Sequence, residues 1–150
     1  MEFKTYVKAR SALPAAIICD IDGTLAHISD GRSPYDASRA MNDSLDDAIA
    51  SIIDMYYAHD YKIIILTGRS AEHLDVTVEW LAKHSINYNE IYTRAEGDNR
   101  KDSIVKKELY STHIAPRFNV KFVLDDRNQV VDMWRNELGL KCLQVAEGDF

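Results

Sequence analysis

Long apolar runs are missing from this chain of 150 residues. The N-terminal cations Lys4, Lys8 and Arg10 precede only a short apolar stretch broken by Pro14, which argues against both a membrane span and a secretory leader. Cysteine is scarce too: Cys19 and Cys142 lie in apolar, strand-like segments without ligand spacing. That favours buried, reduced thiols in a cytoplasmic protein over a disulfide or a zinc site. Positive charge is in deficit. A formal charge of −6 excludes a chain coated for non-specific nucleic-acid binding, so any grip on a polynucleotide must be local. His27, His59, His73, His84 and His113 fall at no metal-ligand spacing and take no chemistry. No G-x-x-x-x-G-K-[ST] loop occurs, so neither a kinase unit nor ATP as a substrate is expected. Internal repeats and low-complexity tracts are also lacking.

What is present fits one domain over residues 1–150, because 46% hydrophobic content suffices for a core around an open sheet. Its most informative stretch is Asp20-Ile21-Asp22-Gly23-Thr24, which follows the apolar run Ala15 to Cys19. Residues i and i+2 of an extended strand point to one side, so the two carboxylates can share a pocket unless the turn rotates them apart. One could attack phosphorus while the other, kept protonated by its like-charged neighbour and partial burial, protonates the departing oxygen. A divalent cation would be needed beside them. Alone, D-x-D-G also reads as a turn or part of a calcium loop.

Strands and helices alternate along the rest of the chain. Tyr61 to Leu66 is a second strand ending at Thr67-Gly68-Arg69. Between these strands, Leu45, Ile49, Ile52 and Tyr56 recur at helical spacing behind Ser44, with Asp47 three residues on as in a capping box. Leu74, Val78 and Leu81 mark a second helix, Ile91 to Thr93 a third strand, and Ile104, Val105 and Leu109 a third helix beginning near Asp102. Lys121 to Leu124 is a fourth strand ending in Asp125-Asp126, Val130 to Leu138 a helix closed by Gly139, and Lys141 to Val145 a fifth strand. Trp80 and Trp134 fall on these helices at packing positions. This rhythm predicts a mainly parallel sheet covered on both faces, with ligands beyond the carboxyl ends of its strands.

Three predicted strands end in reactive residues at that edge. Asp20 with Asp125 or Asp126 would supply the hard oxygen ligands that Mg2+ prefers, and the Thr67 hydroxyl with backbone N–H groups would hold phosphoryl oxygens. Lys106, four residues after Asp102, shares a helix face with it and could be steered toward Asp20 and the phosphate, although such a pair alone reads as a surface salt bridge. Arg100-Lys101 and Lys106-Lys107 read either as a basic rim or as solvated helix ends. Residues 26–43 are too few for a large lid, so a bulky substrate could enter; within them Tyr35, Arg32 and Arg39 could meet a terminal base and its backbone.

The ordered segments DIDGT, ILTGR, RKDSIVKKE and VLDDR resemble the four motifs of haloacid-dehalogenase-type (HAD) phosphohydrolases. Together with GRSPYD, GDNRKD, HIAP, DDRNQVVDMWR and QVAEGDF, they resemble more narrowly the 3′-phosphatase domain of bacteriophage-type polynucleotide kinase/phosphatase. The resemblance implies a Rossmann-like α/β three-layer sandwich with a five-stranded sheet and a small cap loop, in which the first and fourth strands are neighbours. It implies Mg2+ dependence, Asp20 as nucleophile, and Asp22 as general acid and then base. Arg32, Thr67, Gly68 and Arg69 would then contact substrate, Asp102 and Lys106 would supply the third motif, and Asp20, Asp22, Asp125 and Asp126 would surround the metal. The loop from Asp22 to Arg32 is about one residue longer than the family pattern.

The implied reaction removes a terminal 3′-phosphate from DNA or RNA through an aspartyl-phosphate, with a separate kinase or ligase as possible partner. A nucleotidase or other small-molecule phosphomonoesterase has the same core, and a non-catalytic end-binding module is a third possibility.

Overall fold

The computed structural model describes residues 12–150, so the reading of Lys4, Lys8 and Arg10 lies outside the described residues. Five strands form one parallel sheet: β1 (Ala15–Cys19), β4 (Lys62–Ser70), β5 (Glu90–Arg94), β6 (Asn119–Asp125) and β7 (Cys142–Gln144), in the order β5-β4-β1-β6-β7. The chain reverses its direction of winding at β1, and β6 lies beside it. The carboxyl ends of β1 and β6 therefore meet at the switch point, where such sheets bind ligands.

The burial of β1 and β4 on both faces follows from their continuous apolar runs. Ile17, Cys19, Ile63 and Ile65 pack on one side against Ile49, Ala50 and Ile53 of α1 (Asp47–Ala58) and Trp80 and Leu81 of α2 (Leu74–Lys83). Ala16, Ile18, Ile64 and Leu66 pack on the other against Ile114, Val130, Val131 and Trp134. That second layer consists of α3 (Asp102–Leu109), a wide turn over Tyr110–Ile114, α4 (Asn128–Asp132) and a further wide turn over Met133–Glu137. The result is the expected three-layer sandwich.

Three local expectations shift. The first helix starts at Asp46, not behind Ser44. The Asp46 carboxylate accepts the N–H of Ile49 at 3.1 Å, while Ser44–Leu45 form β3, pairing with β2 (Ala26–His27). The backbone N–H of Asp46 donates to Leu25 O at 2.8 Å, so the chain stays extended until a carboxylate stands at the right spacing to cap. The second strand does not end at Leu66 but runs to Ser70. Opposite β5, Leu66 pairs with Tyr92 and Ser70 with Arg94, so β4 carries two extra residues over Thr67–Arg69, a bulge that redirects their side chains. The last helix begins two residues before Val130 and still closes at Gly139, whose φ of 65° suits a glycine.

The 26–45 loop carries the β2–β3 ribbon and a 3-10 segment, Ala37–Asn42, and is the small cap. No helix among the described residues is long and apolar enough to cross a membrane. Cys19 and Cys142 are both free and buried.

Candidate active site

Backbone pairing builds the first half of the site. Asp20 N–H donates to Leu124 O at 3.0 Å, locking the end of β1 to β6, and the turn that follows folds Thr24, Leu25 and Ala26 N–H onto Ile21 O. Gly23 sits in this turn at φ 81°. A Cβ there would stand 2.1 Å from Asp126 Oδ2, so only glycine lets that carboxylate lie over the turn.

Asp20, Asp125 and Asp126 are all buried, with one oxygen from each within 4.8 Å of the others. Lys106, also buried, donates to Asp20 Oδ1 at 2.9 Å and Asp125 Oδ2 at 3.0 Å and lies 3.7 Å from Asp102 Oδ2. The pair that reads alone as a surface salt bridge is thus the edge of a buried cluster. Thr24 Oγ1 is shared between Asp20 Oδ2 at 3.2 Å and Asp126 Oδ1 at 3.4 Å.

Burial pushes the Asp20 carboxyl well above its usual range; Lys106 pulls it back, and Asp125 and Asp126 raise it again. Asp126 is raised by burial and by Asp125. Burial works against the Lys106 charge, yet Asp125, Asp20 and Asp102 together hold its pKa well above normal, so it stays a cation. Burial also lifts both thiols, Cys142 to about 12, which keeps them out of nucleophilic chemistry.

Asp125 is fully engaged: Oδ2 accepts from Lys106 and from Trp134 Nε1 at 3.3 Å, and Oδ1 from the N–H of Asp126 at 2.9 Å. Among the described residues the Asp126 carboxylate takes the long contact from Thr24 and one from the Asp20 carboxyl. The chain's end braces this acidic loop: Val145 N–H donates to Asp125 O, Gln144 Nε2 to Asp126 O and Asn128 N–H to Gly148 O. Gly148 lies so close that a Cβ would be 1.9 Å from Asp126 O.

The second half of the site is built on guanidiniums. Asp22 does not join the acidic cluster. Its carboxylate, one-third exposed, accepts from Arg69 Nε at 2.9 Å, Arg69 Nη2 at 2.7 Å and Arg32 Nη2 at 3.3 Å. The turn has separated the two aspartates, so the like-charged neighbour expected for Asp22 is replaced by two arginines. Asp43, wholly buried, completes the network, accepting from Arg32 Nε at 3.0 Å, Arg32 Nη2 at 2.6 Å and Arg69 Nη2 at 3.1 Å.

Arg32 Nη1 also donates to Ser33 O and Asp36 O, both at 3.0 Å, so all five of its N–H groups are taken by protein acceptors. Buried and saturated, Arg32, expected to contact substrate, binds Asp22 and holds the cap loop. Arg69 Nη1 donates to Thr77 Oγ1 at 3.1 Å and keeps one donor spare.

Thr67 Oγ1 accepts the N–H of Arg69 at 3.1 Å and retains its own proton to donate. Gly68 is needed for close approach, since a Cβ would lie 2.2 Å from Asp102 Oδ1. Asp102 is held by Arg94, which also ties down Gly68 O at 2.9 Å and so fastens the β4 bulge. Arg100 is paired with Asp98 and Glu108, as a solvated helix end is, whereas Tyr35 and Arg39 stay exposed. Asp43, Thr24, Arg94 and the Trp134 indole N–H had no assigned role. Only Thr24, four residues after Asp20, carried a sequence signal.

A lysine buried against the aspartate that ends the central strand, beside carboxylates from the adjacent strand, is the arrangement of a HAD-type phosphatase. Sequence comparison narrows that class. The family model of the polynucleotide kinase PNKP phosphatase domain matches residues 14–150, and the chain belongs to this family.

It is 33% identical over 137 residues, 89% of its length, to a protein of Autographa californica nuclear polyhedrosis virus named as a candidate bifunctional polynucleotide kinase/RNA ligase, of which it covers 20%. Two solved structures, titled as the Pnkp1/Rnl/Hen1 RNA repair complex and the Pnkp1/Rnl/Hen1 complex, match 93% of this chain at 48% identity with a TM-score of 0.90. The chain spans 45% and 48% of those two chains.

Proposed function

We propose that this phosphatase is a Mg2+-dependent polynucleotide 3′-phosphatase that heals DNA or RNA ends, with Asp20 as nucleophile. The observation that carries the reading is the buried Lys106–Asp20–Asp125 bridge beside Asp126, in a chain of the PNKP phosphatase-domain family. Asp20 attacks phosphorus, the phosphorus–oxygen bond to the 3′-oxygen breaks, and Asp22 gives that oxygen a proton. Water then attacks the aspartyl-phosphate as Asp22 takes its proton back, and phosphate leaves. Arg69, with its spare donor, and the Thr67 hydroxyl bind the phosphoryl group. Asp102 steadies Lys106 over Gly68.

Three carboxylate oxygens gathered in a space freed by Gly23 fit a hard divalent cation. Asp20 and the lightly engaged Asp126 would hold it directly, with Asp125 behind them orienting Lys106 and the backbone of Asp126. When bound, the cation neutralises charge on the transferring phosphoryl group. We assign Asp22 to proton transfer and not to the metal, because its carboxylate is tied to the two arginines.

Residues 14–150 would carry this activity, with any kinase activity outside these 150 residues. The likeness to a structure titled an RNA repair complex favours RNA ends and neighbouring repair enzymes such as a ligase.

The test is phosphate release with Mg2+ from a 3′-phosphorylated oligonucleotide, a 5′-phosphorylated oligonucleotide and mononucleotides, with Asp20→Asn as the blank. Selective release from the 3′-phosphorylated oligonucleotide is expected. Faster release from mononucleotides would make the protein a nucleotidase.

A further inference from the structure

Ser33-Pro34-Tyr35-Asp36 form a tight turn, closed by the N–H of Asp36 donating to Ser33 O at 3.1 Å and the N–H of Tyr35 to Ser33 Oγ at 3.2 Å. Pro34 pre-sets the backbone at the second position. The Asp36 carboxylate then caps the following 3-10 segment by accepting the N–H of Ser38 at 2.9 Å. From beneath, the buried Arg32 guanidinium donates to the carbonyls of both Ser33 and Asp36. Tyr35 rides on the tip of this braced turn at 89% exposure, with no partner for its ring or hydroxyl among the described residues. An exposed tyrosine on a slack loop would carry nothing. Here the group that pins the turn also binds Asp22 through its other terminal nitrogen, so the backbone of the turn that carries Tyr35 is tied through one guanidinium to the carboxylate that would meet the leaving 3′-oxygen.

On the 3′-phosphatase reading, on which this inference rests, the leaving oxygen and a nucleobase belong to the same nucleotide and lie one sugar apart. We propose that Tyr35 is the stacking platform for the base of the substrate's terminal nucleotide, and that Arg32 fixes the distance between that platform and Asp22. Stacking on an aromatic face tolerates every base, which suits an enzyme that must accept any 3′ end. It also needs no basic surface, in keeping with the chain's acidic charge. Arg39 is exposed in the next segment, and we assign it to the backbone of the same strand.

The experiment compares the parent protein, Tyr35→Phe and Tyr35→Ala on two 3′-phosphorylated oligonucleotides, one with a normal terminal base and one whose terminal nucleotide is abasic. Tyr35→Ala is expected to lose on the order of tenfold in kcat/KM on the base-bearing substrate, mostly through KM. Tyr35→Phe should match the parent, and Tyr35→Ala should handle the two substrates alike. In parallel, 2-aminopurine placed as the terminal base should be quenched on binding to Asp20→Asn protein, and less so when Tyr35→Ala is added. An equal loss on both substrates, or unchanged quenching, would overturn the platform while leaving the phosphatase intact. A parent protein that releases phosphate from mononucleotides but from no 3′-phosphorylated oligonucleotide would overturn both readings.

Discussion

Removing the Asp43 carboxylate tests whether the guanidinium half of the site is a structural unit. Asp22 and Asp43 balance Arg32 and Arg69, two charges against two, and Asp43 is the wholly buried member. Asp43→Ala would leave two buried guanidiniums sharing one carboxylate that is itself one-third exposed. Breaking a buried ion pair by deleting one partner costs about 3–5 kcal/mol. Arg32 would keep two backbone carbonyls, and Arg69 would keep Thr77 and its paired contact to Asp22, so the lower end, about 3 kcal/mol, is expected. At roughly 2–4 °C per kcal/mol for a domain of this size, the melting temperature should fall by about 6–12 °C.

Both variants retain the backbone carbonyl that accepts the Trp80 indole N–H; Asp43→Asn also keeps one side-chain acceptor oxygen for the arginines but turns an amide donor toward guanidinium donors, so it should fall between parent and Ala. Turnover by the folded protein should drop on the order of a hundredfold, because Asp22 loses its fixed position. Calorimetric melting of the two variants, with turnover measured well below the transition, decides the matter. A melting temperature within about 2 °C of the parent would refute the energetic argument. A lowered melting temperature with unchanged turnover would refute the claim that Asp43 positions Asp22.

Magnesium should stabilise the fold more near neutral pH than in mild acid. Asp20 and Asp126 have carboxyls raised above the ordinary aspartate range by burial, so as pH rises from that range through their folded values the native state binds more protons than the unfolded chain and loses stability; a cation restores it only by meeting ionised carboxylates. Thermal melts with and without Mg2+ at both pH values check this, and a larger shift in acid would contradict it. Gly23→Ala should destabilise the domain by about 1–3 kcal/mol and raise the Mg2+ concentration needed for half-maximal turnover, since its Cβ would collide with Asp126 at a φ of 81°; denaturant unfolding of the variant measures the first and a Mg2+ titration of turnover the second. Asp22→Asn should slow hydrolysis of a sugar phosphate far more than that of an activated aryl phosphate, whose leaving group needs no proton. Equal losses on the two substrates would remove the proton-transfer role.

The parts of this site that depend on strand ends were legible in the sequence, because a buried parallel strand announces itself as an apolar run and the fold delivers its last residues to one edge. Strand-end position brings out Asp20, Asp125 and Asp126, which the structure gathers together, and the first strand does lie between the second and the fourth; Thr67, expected just past a strand end, lies inside the longer β4. The bulge over Thr67–Arg69 was not visible, since a register shift depends on what the neighbouring strand pairs with. Asp43 was invisible for a different reason: it sits in a loop without periodicity and acquires its role only when Arg69 from β4 reaches the cap. Trp134 looked like packing and is packing, but its N–H also fixes Asp125, a direction that periodicity does not encode.

The spacing of Asp20 and Asp22 carries the strongest inference with one exception, a turn that rotates the pair apart, and the structure takes that exception. In a continuing strand the two carboxylates would share surroundings and compete for one proton. The chain instead turns at Gly23, and the tripeptide hands Asp20 to a lysine among carboxylates and Asp22 to two arginines. Two chemically identical side chains thereby acquire unlike neighbours, one buried against fixed acids suited to a metal and the other open to solvent beside donors that hold it in place. On the proposed mechanism, that division, produced by one glycine turn, would let the first attack phosphorus while the second moves protons at the leaving oxygen.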